Sequence, residues 1–305
     1  MQISLCMIVK NEQRVLPALL EEVRDFFDEI IVVDNGSTDR TREILSHFDV
    51  ITIVRENAEE HPYEADLRNA GIALATNPWV LILDADERVS REGLARLRDM
   101  EPEAGTDGYF LRWDTYSGGE VIEDYKLALI RSDARFVGAV HANVQPHFRR
   151  HHRLARWSNA LRIEHRPDPS RLAAKALLRE RALRRALKDD PDNVRCLWFL
   201  GYGRLGQNRL EDALEYLGSA GASRSTLFPV ECLNSMLMRA EALARLGRRD
   251  EALREVEAAA DFFERVRNDF EVAVNFRLER WLRSAALHYA DDTAPLHAYR
   301  FPYLY

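Results

Sequence analysis

The sequence predicts an α/β domain built on a mixed, largely parallel sheet, followed by a wholly helical domain. Three observations predict it. Between residues 3 and 83, short apolar runs alternate with helical stretches of about ten residues, the pattern of parallel strands joined by crossover helices. From about 108 to 165, strand-like runs follow one another with little helix between them, which adds antiparallel strands. From about 171 the chain is helical almost to residue 305. The domains are drawn at residues 1–168 and 169–305.

In order, "ISLCMIVK" is an apolar strand that precedes a helix over Val15 to Phe27. "EIIVVD" is a second buried strand, stopped by the turn "NGSTD". "STDRTREILSHF" is a helix with Ser37 or Thr38 as its N-cap. "VITIVRE" is a strand, "YEADLRNAGIALAT" a helix and "WVLILDAD" a fourth strand, with Ser90 capping the next helix. "GYFLRWDTY", "YKLALIRS", "ARFVGAVHANV" and "LRIEHR" are the added strands. In the helical half, Leu197, Leu200, Gly201, Ala213, Leu217 and Ala220 fall at the packing positions of a helix-turn-helix repeat. Ala240, Ala252, Val256 and Ala259 repeat the pattern, with extra residues in "SRSTLFP" and Pro191 ending a preceding unit. This half resembles a tetratricopeptide array.

Composition bounds the function. A hydrophobic content of 46% with 30% charged residues is that of a globular protein, and no run reaches the roughly 18 apolar residues of a membrane span. "MQISLCMIVKNE" does not read as a signal peptide. Cys6, Cys196 and Cys232 are far apart and in apolar context, so they read as buried thiols in a reducing, cytoplasmic compartment. The first 170 residues carry 21 Lys and Arg against 30 Asp and Glu, and the remainder 22 against 20. That balance argues against an N-terminal half that simply binds nucleic acid.

The chemistry concentrates at strand ends. In "VLILDADERVS", Asp84, Asp86 and Glu87 crowd together directly after an apolar strand, and they repel unless positive charge offsets them. A second acidic turn, Asp34-Asn35-Gly36-Ser37, ends another strand. Ligands of such sheets bind at the carboxyl ends of the strands. Two polar strand ends side by side suit a nucleotide and a divalent cation, and hard oxygen ligands favour magnesium or manganese.

"SLCMIVKNE", "IIVVDNGSTDRT", "DLRNAGIALAT" and "WVLILDADE", in this order, resemble family 2 glycosyltransferases. The resemblance covers residues 1 to 165 and implies the GT-A fold, the Rossmann-like mixed sheet of nucleotide-diphospho-sugar transferases. It implies a DXD motif at Asp84 and Asp86, with Asp86 on an Mn2+ or Mg2+ ion and Asp84 near the ribose or the ion. Asp34 and Asn35 would contact the nucleoside, Asn35 standing where the family has a second Asp. Glu12 would line the nucleotide pocket, and Arg68 with Asn69 would lie near the sugar or diphosphate. His165 and His141 are the candidates for a further metal ligand.

An inverting transferase needs a base to deprotonate the acceptor. Ala142 stands where relatives with helical repeats often carry a Glu after His, and "EDYKL" resembles the Glu-Asp motif that supplies the base in many family 2 enzymes, which implies Asp124 first and Glu123 second. Between His147 and Arg166 runs a basic segment with Arg149, Arg150, Arg153, Arg156, Arg162 and Arg166. It reads either as a solvated hinge or as a flexible strap over a diphosphate or an anionic acceptor.

The leading expectation is an inverting, metal-dependent hexosyltransferase that uses a UDP-sugar. The acceptor would be a peptide, protein, glycan or other biopolymer, with nucleic acid not favoured, and the helical domain would recognise it or join two subunits. The alternative is a scaffold whose transferase domain has lost activity, motivated by Ala142. A nucleotidyltransferase is argued against by "IVKNEQRV", which lacks a Gly-rich phosphate loop.

Overall fold

The structure is a computed structural model that describes residues 1–55, 63–117, 119–138, 141–274, 276–291 and 293. It divides into two compact units, Met1–Ala176 and Leu177–Tyr305.

In the first unit the elements run β1 (Ile3–Val9), α1 (Leu16–Val23), β2 (Glu29–Asp34), α2 (Thr41–Leu45), β3 (Ile51–Val54), α3 (Glu64–Ile72), β4 (Trp79–Ile82), β5 (Glu87–Val89), α4 (Arg91–Asp99), β6 (Gly108–Ser117), β7 (Glu120–Arg131), α5 (Gln145–Arg150) and β8 (Ala155–His165). One eight-stranded sheet has the order β3-β2-β1-β4-β7-β6-β8-β5. β1 to β4 are parallel, β4–β7, β7–β6 and β5–β8 antiparallel, and β6–β8 parallel. β1 lies between two strands and is apolar on both faces, so "ISLCMIV" reads as an unbroken run. α1 buries Leu16, Leu19, Leu20 and Val23, the i, i+3, i+4, i+7 stripe that faces a core. Ser90 caps α4 by accepting from the Gly93 N–H at 3.0 Å.

Three local expectations are corrected, and one short strand is added. α2 begins at Thr41 with Arg40 at its N-cap, because Ser37 and Thr38 are used in the preceding turn. Among the described residues of "ARFVGAVHANV" there is a single bridge, Val137 to Asn143, since Gly138 (φ +114°) and His141 (φ +51°) leave the extended conformation. Glu87 to Val89 form a short strand paired with β8. The basic segment is neither hinge nor strap: it builds α5 and the sheet strand β8. Arg153 pairs with Asp133, and Arg162 with Asp114.

The second unit is helical. α6 (Pro169–Asp189), which begins in the first unit, is followed by α7 (Val194–Gly206), α8 (Leu210–Ala222), α9 (Pro229–Arg245), α10 (Arg249–Val266), α11 (Phe270–Val274) and α12 (Phe276–Ala290). α7 packs on α8, α8 on α9 and α9 on α10, as successive helical hairpins do. All ten repeat positions named from the sequence are buried. Gly201 is required by close approach: a Cβ there would lie 2.6 Å from Leu217 Cγ. Among the described residues no helix is long and apolar enough to cross a membrane.

Candidate active site

The end of β4 carries the densest cluster of charge. Asp84 accepts at Oδ1 from Arg68 Nη2 at 2.6 Å and at Oδ2 from Lys126 Nζ at 3.1 Å. Glu87 is fully buried and accepts from Lys126 Nζ at 2.8 and 3.0 Å, from Trp113 Nε1 at 2.7 Å and from the Asp84 N–H at 2.8 Å. Two of the three crowded carboxylates are thus held by two internal cations and an indole. Burial alone would raise the Asp84 carboxyl, but Arg68 and Lys126 outweigh it and hold it far below the carboxylate range. Burial alone would lower Arg68 and Lys126, and the charges of Asp84, Glu64 and Glu87 reverse that for Arg68, those of Asp84 and Glu87 for Lys126. Burial and the adjacent Asp84 charge push Glu87 up.

Asp86 faces a different neighbour. Its Oδ2 is 3.6 Å from His165 Nε2. His165 stacks on Trp113 at 4.9 Å between ring centroids and 17° between planes, and its Nδ1 lies 3.1 Å from Thr115 Oγ1. The backbone ties the group together, since the Arg166 N–H donates to the Asp86 carbonyl and Glu87 pairs in register with His165.

The second acidic turn has its own order. Asp34 is fully buried and accepts from the Ser37 N–H at 2.7 Å and from Arg42 Nε at 3.0 Å. Asn11, at φ +57°, accepts from the Thr38 N–H and donates its own N–H to Ser37 Oγ, stitching the ends of β1 and β2 together. Gly36 takes φ +74° in this turn, which a side chain would strain. The Glu12 carbonyl accepts from Val15 and Leu16 at the start of α1, and its N–H donates to Thr41 Oγ1. Asn35 Oδ1 and Arg68 Nε and Nη1 are buried atoms with no hydrogen-bond partner.

The β6–β7 pair separates the two candidate bases. Trp113 is opposite Asp124, and Leu111 opposite Lys126, so Asp124 shares the face that carries Trp113 and Lys126. Glu123 is opposite Asp114, on the other face, and is bound to Arg112 at 2.7 Å. His141 lies in the segment before α5, where the Ala142 N–H donates to Glu64 Oε2 at 3.3 Å. Asn69 exchanges two hydrogen bonds with the Phe136 backbone.

The structure therefore brings together Asp84, Asp86, His165, Arg68 and Asp124's strand face, and it turns Glu123 away. Among the described residues no three His, Cys, Asp or Glu side chains form a metal-binding cluster. The donors on hand are the Asp86 carboxylate and the His165 imidazole, a set that would suit Mn2+ better than Mg2+ and would need substrate oxygens to complete it. Sequence reasoning missed Lys126, Trp113 and Thr115. Their signal was the two-residue period of strands, which puts Lys126 on the face of Asp124, and Thr115 on that of Trp113.

A family model described as glycosyl transferase family 2 matches residues 4–159. The chain is 42% identical over 105 residues to a TPR repeat-containing protein of Synechococcus elongatus, covering 34% of this chain and 25% of that one. It is 25% identical over 221 residues to the SPbeta prophage-derived glycosyltransferase SunS of Bacillus subtilis, covering 69% of this chain and 51% of that one. The chain thus spans a quarter of the first relative's length and half of the second's. Among solved structures, glucosyl-3-phosphoglycerate synthase from Mycobacterium tuberculosis with Mn2+, UDP and phosphoglyceric acid is similar at 17% identity, covering 59% of this chain and 75% of that one with a TM-score of 0.45. TarS 1–349 of S. aureus with UDP-GlcNAc is similar at 14% identity, covering 95% and 92% with a TM-score of 0.46.

Proposed function

The chain belongs to glycosyl transferase family 2, and we propose that it is an inverting, metal-dependent glycosyltransferase with a UDP-sugar donor. The observation that carries this reading is the Asp86–His165 pair, set beside a fully neutralised Asp84 at the carboxyl ends of parallel strands. Asp86 and His165 would hold Mn2+ or Mg2+. When bound, that cation supplies offset for the charge gathering on the departing diphosphate.

The protein's own residues do the rest. Asn35 Oδ1 and the Asp34 turn receive the base and ribose, and the unpartnered Nε and Nη1 of Arg68 meet diphosphate oxygens. Asp84 acts by orienting Arg68 and Lys126 and not as a metal ligand, because both of its oxygens are already committed to those cations. Asp124 accepts the proton of an acceptor hydroxyl as its oxygen bonds to the anomeric carbon. The bond to the diphosphate breaks in the same displacement, which inverts the anomeric centre. Glu123 has no part in this step.

The acceptor we favour is an extended peptide or a glycan presented by the helical unit, whose hairpins we take as tetratricopeptide repeats that also allow a homodimer. The three cysteines are buried free thiols pushed up to about 11 or 12, chiefly by burial, which accords with a cytoplasmic protein.

The test is a thermal-shift series with nucleotide sugars, with and without Mn2+, on wild type and Asp86→Ala. Stabilisation by a UDP-sugar that needs Mn2+ and is lost in the variant supports the reading, and an equal response of both proteins overturns it. Release of UDP from the donor in the presence of Mn2+ separates an enzyme from a scaffold, which would leave the sugar nucleotide intact.

A further inference from the structure

Resting on the reading of Arg68 as the contact for the donor diphosphate, we propose that Asn69 is a positioning residue that acts on Arg68 through Phe136. Asn69 pins the backbone of Phe136, and the Phe136 ring fixes the orientation of the Arg68 guanidinium.

The hydrogen bonds of Arg68 converge on a single nitrogen. Nη2 donates to Asp84 Oδ1 at 2.6 Å and to Glu64 Oε1 at 3.4 Å, while Nε and Nη1 are buried without a partner. A guanidinium held at one corner can pivot about that corner, and its long side chain has many rotamers to lose. The Phe136 ring stands against that pivot, with its centroid 5.8 Å from the guanidinium carbon. Phe136 is itself buried, so the ring has little room to give way.

Phe136 lies between β7 and α5, outside any strand, next to the isolated Val137–Asn143 bridge. Asn69 supplies the two bonds that a neighbouring strand would supply. The Phe136 N–H donates to Asn69 Oδ1 at 2.8 Å, and Asn69 Nδ2 donates to the Phe136 carbonyl at 3.0 Å. Both polar atoms of the amide are thus engaged by backbone, which suits a positioning role and not a contact with sugar or diphosphate. Arg68 and Asn69 are consecutive on α3, and side chains one residue apart do not face each other on a helix. The link between them therefore runs outward through Phe136 and back. The first turn of α3 fastens the same segment again: the Ala65 N–H donates to the Gly138 carbonyl and the Ala142 N–H to Glu64 Oε2, both at 3.3 Å.

The experiment uses the full chain with Mn2+ and two probes, UDP and uridine, which share the nucleoside and differ in the diphosphate. Affinities are measured by calorimetry for UDP and by saturation-transfer NMR for uridine, on wild type, Phe136→Leu, Asn69→Ala and Arg68→Ala. Phe136→Leu keeps an apolar side chain and both bonds to Asn69 while removing the ring. It is expected to weaken UDP about 2- to 30-fold, the span of a lost arginine–ring contact, and to leave uridine as in wild type. Asn69→Ala is expected to weaken UDP by that factor or more, again with uridine unchanged. Should Asn69→Ala not fold, Asn69→Asp takes its place, since it keeps the acceptor for the Phe136 N–H and loses the donor to its carbonyl. Wild-type UDP affinity in Phe136→Leu or in the Asn69 variant overturns the proposal. Equal losses of UDP and uridine overturn it too, because a merely structural role would loosen the whole pocket. Arg68→Ala tests the premise separately: wild-type UDP affinity in that variant overturns the diphosphate reading itself, whereas weakened UDP there with none in Phe136→Leu removes only the positioning role.

Discussion

The two faces of the β6–β7–β8 ribbon each bury one carboxylate completely, and they use it differently. On the outer face Asp114 is clasped by Arg112 at 3.0 and 3.1 Å and by Arg162, while Glu123 takes the other end of Arg112. Its charges are matched among themselves. On the inner face Glu87 is clasped by Lys126 and Trp113, but Lys126 also reaches Asp84, and Trp113 also stacks on His165. Each holder of the buried acid has a second contact that leads to the strand-end site. What separates the two clusters is that the partners of Glu87 also touch residues of the proposed strand-end site, while the burial itself is common to both faces.

Four tests would break or sharpen this contrast. The largest effect falls on Lys126→Met, which leaves Asp84 with Arg68 alone and strips Glu87 of its cation. Denaturant unfolding is expected to show a loss of about 3–5 kcal/mol, the cost of removing one partner from a buried ion pair. Next, Asp124→Asn is expected to lower kcat by about 10²- to 10⁴-fold without changing the unfolding midpoint. Glu123→Gln, one residue away on the other face, should leave kcat within twofold of wild type (~2, well below the effect of a lost base). Equal losses in both variants would remove the distinction between the faces.

A third test is acidification. The Asp84 carboxyl is held below its unfolded value, so its contribution to stability is complete above about pH 4 and is lost as pH falls further. The slope is at most about 1.4 kcal/mol per pH unit for this one group, and Asp84→Asn should flatten it in acid-unfolding curves. The smallest effect is that of Arg112→Ala. Its side chain is 37% exposed and Asp114 keeps Arg162, so solvent screening limits the loss to under about 1 kcal/mol with kcat intact.

Much of this was legible in the chain. The apolar runs of β1, β2 and β4, the acidic strand ends and the Ser90 cap follow from local pattern, because side-chain period and capping act over a few residues. The ten helical packing positions were legible for the same reason, with Gly201 marked by the approach of Leu217. The β5 strand was not, since three residues acquire strand character only from their partner β8. The end of the "GAVHANV" run was hidden as well: it depends on left-handed backbone at Gly138 and His141, which periodicity does not register.

The sequence by itself determined the fold class, the family and the placing of Asp34, Asp84 and Asp86 at strand ends, because strands and their polar termini are written in contiguous residues. Tertiary structure alone decided which groups each carboxylate meets. Asp84 and Glu87 are claimed by Arg68, Lys126 and Trp113, which lie 16 to 42 residues away, while Asp86 is left beside His165. Coulomb interactions and hydrogen bonds act at a few ångströms in space, and only the folded sheet brings those distant residues within reach.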